Sequence, residues 1–100
     1  MKVIDEGRAA WFLFERGDEL LLDVNCSHSA VGYGVLLRLD EREVAEYGRE
    51  GRAFVDRLAR DVQDRGPGSS LQRRNIGSQY DEEAMAAVTV WRLTNPQPID

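Results

Sequence analysis

Val31-Gly32-Tyr33-Gly34-Val35-Leu36-Leu37-Arg38-Leu39, followed at once by Asp40-Glu41-Arg42-Glu43, is the stretch that decides the fold. Val31, Tyr33, Val35, Leu37 and Leu39 stand at every second position. Side chains of a strand point alternately to its two faces, so this period predicts a strand with one face on a core. Gly32 and Gly34 leave the other face bare, which fits a twist or bulge in an antiparallel meander, or close approach of a neighbouring group. The period then changes. Asp40 and Glu43 form a D-x-x-E capping box, in which each side chain satisfies a free N–H at a helix start. Val44, Tyr47, Gly51, Val55, Leu58 and Val62 recur at spacings of three and four. They predict a continuous helix over 41–65 with that stripe on the sheet and Phe54 at its edge. Gly66-Pro67 ends it.

Upstream, Trp11-Phe12-Leu13-Phe14 is aromatic and prefers β structure. Arg16-Gly17-Asp18-Glu19 supplies a turn, and Leu20, Leu22 and Val24 alternate with Asp23 and Asn25, so the two runs form a hairpin. Residues 1–7 add a short edge strand. Downstream, residues 66–77 read as a loop, and Arg73-Arg74 makes it the most basic spot of the chain. Ser78 fits an N-cap, and Tyr80, Ala84, Val88 and Trp91 share a helical stripe, predicting a helix over 78–94. The β preference of Val88-Thr89-Val90-Trp91 makes a late strand the alternative. The five i,i+4 Arg/Asp pairs between Arg52 and Arg65 read as a solvated helix face. The expected architecture is α+β, a two-layer sandwich. An antiparallel β-meander of three or four strands is followed by two helices packed on one face, in a single domain over 1–100.

Composition narrows the function by exclusion. A chain of 100 residues buries about 65% of its surface on folding, enough for a modest core. Its net charge is −5, with no basic stripe to meet phosphates, so nucleic acid and anionic membrane are poor partners. No apolar run approaches the ~20 residues of a membrane-spanning helix. The start of the chain turns acidic before any signal-peptide core forms, and Cys26, the one cysteine, has no partner for an internal disulfide, so the expected compartment is the cytoplasm. Cys26 and His28, two apart, could form a nucleophilic pair, but i and i+2 side chains of a strand do not aim the thiol at the imidazole and no orienting third residue can be named. They read as a polar cap on a strand turn, and no further Cys or His completes a zinc site. No phosphate loop, dinucleotide fingerprint or hydrolase elbow is present. The expectation is a non-enzyme with no catalytic residue, metal or cofactor.

If Phe12 and Phe14 join Leu20, Leu22, Val24, Val35, Leu37 and Leu39 in the core, alternation puts Trp11, Leu13, Leu21 and Leu36 on the far face of the sheet. Such a patch needs cover, from residues 1–7, from the C-terminal segment, or from a partner. Trp11, Leu13, Leu21 and Leu36, with Arg73 and Arg74 at the rim, are therefore the expected partner-binding residues. In size, acidity and strand-strand-strand-helix layout the chain resembles the small immunity-type proteins of bacterial toxin systems. The resemblance runs over the whole length and rests on no diagnostic motif. It implies a protein that neutralises a toxin domain by binding it. The competing expectations are a small enzyme or ligand-binding domain using the Cys26/His28 loop, and a homo-oligomeric structural subunit.

Overall fold

The computed structural model describes residues 1–7, 10–28, 31–66 and 68–95, and of residues 27, 28, 31 and 32 the backbone only. Four strands, β1 (Lys2–Glu6), β2 (Trp11–Arg16), β3 (Glu19–His28) and β4 (Val31–Arg38), form one antiparallel sheet in the order β1-β2-β3-β4. Three helices follow: α1 (Glu41–Glu50), α2 (Arg52–Arg65) and α3 (Gly77–Thr94), with one turn of 3-10 helix at Gln72–Arg74 between the last two. The α+β class, the antiparallel meander and the edge strand near the start of the chain are as the sequence predicts.

The helices, however, lie on both faces of the sheet, so there are three layers where two were expected. Trp11, Leu13, Leu22, Val24, Val35 and Leu37 pack against Val55, Leu58, Ala59 and Val62 of α2. Phe12, Phe14, Leu21 and Leu36 pack with Val3 against Ala84 and Ala87 of α3. The exchange of Trp11/Leu13 with Phe12/Phe14 has a single cause. The β2–β3 turn has two residues, Gly17 and Asp18, with Arg16 paired to Glu19. Gly17 takes φ 62, the left-handed conformation that two-residue hairpin turns require at their first position. An even loop joins positions of opposite parity, so Leu13 faces Leu22 and Trp11 faces Val24. A phase error of one residue moves every side chain of a strand to the other face. The β3–β4 register, with Leu22 opposite Leu37 and Val24 opposite Val35, agrees with the alternation read from sequence.

The helix expected over 41–65 is broken at Gly51, whose φ of 64 and ψ of −140 are open essentially only to glycine. Its N–H still closes α1 on the Tyr47 carbonyl at 2.7 Å. The Asp40–Glu43 capping box is present with both reciprocal bonds, at 2.8 and 2.9 Å. Val55, Leu58 and Val62 are buried as the stripe predicts, whereas Val44 is exposed. The i,i+4 pairs of α2 give way to longer ones. Arg52 bonds Asp5 of β1 at 2.6 Å and Arg57 bonds Glu50 at 2.7 Å.

The linker between α2 and α3 carries the chain around the free edge of β4. Gln72 is buried there: its amide donates to the Val62 carbonyl at 2.7 Å and its oxygen accepts from the Tyr33 hydroxyl at 2.8 Å. Asn75 and Ile76 then close the edge. The Asn75 side-chain oxygen accepts from Leu36 N–H at 3.0 Å, and Ile76 N–H donates to the Leu36 carbonyl at 2.7 Å. Edge strands left open invite further pairing, and this linker blunts one. The length of the segment is the span from one face of the sheet to the other. Ser78 does not cap α3. The Asn75 oxygen that holds Leu36 also accepts from Gly77 N–H at 2.9 Å, one residue earlier. Burial of Ala84 and Ala87, with Tyr80, Val88 and Trp91 packed beside them, settles residues 77–94 as helix. Packing at a period of 3.6 outweighs the local β preference there.

Candidate docking surface on the third helix

The expected patch does not exist as an exposed surface. Trp11, Leu13, Leu21 and Leu36 are at most 3% exposed, each covered by a helix of the same chain. Trp11 shows how complete the cover is. Its indole N–H donates to Asp56 of α2 at 2.8 Å. A Cβ on Gly7 would fall 2.1 Å from that indole nitrogen, so only glycine fits beside the ring. Buried tryptophan of this kind supplies area to the core and finds a partner for its N–H. Of the two rim arginines, Arg73 is exposed, but Arg74 is used within the fold. It makes a two-pronged pair with Glu43, at 2.7 and 2.9 Å, and donates to the Arg38 carbonyl at 2.6 Å. The hydrogen bond to Glu43 holds the guanidinium pKa above its ordinary value.

Exposed apolar surface is found instead on α3. Met85, Val90 and Leu93 are 71%, 61% and 79% exposed. Ala86 and Thr89 are exposed between them. From Ala84 to Asn95 the only charged residue is Arg92. An amphipathic surface helix carries charge on its outer side, and a helix apolar all round is normally covered all round. The α3 helix is covered on one side only.

Beside this face runs a groove of about 440 Å³ between β1 and the second half of α3, walled by Met1, Val3, Ala87, Val90 and Trp91. The Trp91 indole N–H is buried there without a hydrogen-bond partner among the described residues. At one end Glu83 accepts from the N-terminal ammonium at 3.2 Å and from the Arg16 side chain at 3.0 Å. These hydrogen bonds, the first above all, hold its carboxyl below the usual range. On the β2 side, Arg16 and Arg92 lie over the rings of Tyr80 and Phe12, at 4.9 and 5.8 Å. Charged groups thus flank the apolar strip and leave its centre uncharged, which is the layout of a protein-docking surface.

Two other places could have carried chemistry. Asp23, between Phe12 and Leu36 on the α3 side of the sheet, is pushed up to about 6 by burial and by Asp81. No group of three or more metal-ligating side chains occurs among the described residues. Cys26 is buried, and burial followed by the Asp23 charge pushes its thiol up, the opposite of what a nucleophile needs. The side chain of His28 lies outside the described residues, so the Cys26/His28 pairing does too.

Met85, Val90 and Leu93 were not singled out from sequence, although a signal was there: eleven uncharged residues in the twelve from Ala84 to Asn95. No helix among the described residues is long and apolar enough to cross a membrane. Comparison with protein families, curated proteins and solved structures found no match.

Proposed function

We propose that this chain is a non-enzymatic protein-binding module that docks through the outer face of α3 and the groove beside β1. The observation that carries the reading is the exposure of Met85, Val90 and Leu93 on one side of a helix with a single charge in its second half. Met85 and Leu93 stand away from the core that Ala84 and Ala87 join on the other side of the helix, and Val90 stands at the rim of the groove. The reading is supported further by the fate of the other candidates. The expected sheet patch is internal, and the one thiol is buried with its pKa raised.

A module of this kind acts by occupancy. That is the mode of action of the immunity-type proteins the chain resembles in layout, and a cytoplasmic immunity role is the one we assign within this class. The test is co-expression with the product of any secreted-toxin gene adjoining its own. The wild-type chain should protect the host. Val90→Glu with Leu93→Glu should abolish protection while leaving the thermal melt in place. Full protection by this folded double variant would remove α3 from the binding surface.

A further inference from the structure

The exposed face of α3 is complementary to itself, and we propose that its occupant is a second copy of this chain, paired antiparallel through α3 across a two-fold axis. The inference rests on the docking reading above and makes the second copy the resting occupant of the face, which a toxin domain would have to displace. Gln79, Glu82, Ala86, Thr89 and Leu93 follow one another at spacings of three, four, three and four, and all are exposed. That is the seam spacing of helices packed side by side. The small residues Ala86 and Thr89 sit at its middle, where two helices crossing antiparallel approach most closely. Met85 flanks them on one side of the seam and Val90 on the other.

Charge supports the antiparallel orientation. The acids Asp81, Glu82 and Glu83 stand in the first half of α3 and Arg92 near its end. A two-fold axis keeps each flank of the helix against the same flank of the other copy and reverses its direction. Arg92, exposed on the Asp81 flank, then comes within reach of the second copy's Glu82, and the contact is made twice. A parallel pairing would instead set acids against acids. The pairing covers Met85, Val90 and Leu93 and leaves the sheet and its two cores untouched.

Sedimentation velocity over a concentration series tests the pairing. The wild-type chain should move from the 11.3 kDa monomer to a species of twice that mass. Leu93→Glu and Ala86→Arg should each hold it monomeric with an unchanged melt. Arg92→Glu should weaken the dimer roughly tenfold, because two contacts turn repulsive at once. Arg92→Glu with Glu82→Arg in the same chain should restore it. A wild-type chain monomeric at every concentration overturns the pairing, and so does a dimer indifferent to Leu93→Glu and Ala86→Arg. A monomer that still protects against a toxin, and loses protection with Val90→Glu/Leu93→Glu, overturns the pairing alone and leaves the docking reading standing.

Discussion

Asp23 is a residue whose ionisation bears on stability. The folded chain holds its proton to about pH 6, whereas the unfolded chain releases it near ~3.9. Between these values the folded state binds more protons, so stability is greatest below about pH 4 for this group and falls as pH rises to about 6. Asp23→Asn should abolish that fall and raise stability at pH 7 by roughly 1–2 kcal/mol, read from urea melts at pH 4.5 and 7. Equal pH dependence in the two proteins would show that Asp23 is not perturbed. Arg74 gives the opposite contrast. Glu43, at 5% exposure, accepts two bonds from Arg74 and one from the Asp40 backbone. Arg74→Met strands that carboxylate and should cost about 3 kcal/mol. Arg73→Ala, one residue away and exposed, should move stability by less than about 0.5 kcal/mol. Sequence could not separate these neighbours, because the difference lies in Glu43, thirty-one positions away.

Among the elements, the strands and the capped start of α1 were legible because their signals are local. Alternation at Val31–Leu39 and the Asp40–Glu43 box both act within a few residues. The split between α1 and α2 was not, since the stripe from Val44 to Val62 keeps its period through Gly51. Gly51→Ala puts a Cβ on a backbone at φ 64 and ψ −140 and should destabilise the chain by roughly 1–3 kcal/mol, whereas Gly48→Ala, inside α1 with open space around it, should stabilise it by about 0.5–1 kcal/mol. Thermal melts of the two variants moving in the same direction would contradict the break. The linker before α3 read as a surface loop with a basic tip. Its buried Gln72 and its Asn75 clamp on Leu36 are tertiary contacts that no local pattern announces.

At the scale of the molecule, the placement of α3 decides where the exposed apolar surface lies. With both helices on one face, as the sequence suggests, the other face of the sheet would be open and its apolar residues would be the site. Instead α2 covers one face, and the linker carries the chain round the β4 edge so that α3 covers the other, whichever phase the Gly17-Asp18 turn gives to β2. The uncovered apolar surface is then displaced outward onto α3 itself. The most direct test of this account is hydroxyl-radical footprinting of the folded chain at high dilution, with oxidation read residue by residue. The account predicts rapid labelling of Met85, Val90 and Leu93, and protection of Trp11, Leu13, Leu21 and Leu36. Labelling of Trp11 and Leu36 as fast as Leu93 would contradict it and return the exposed surface to the sheet.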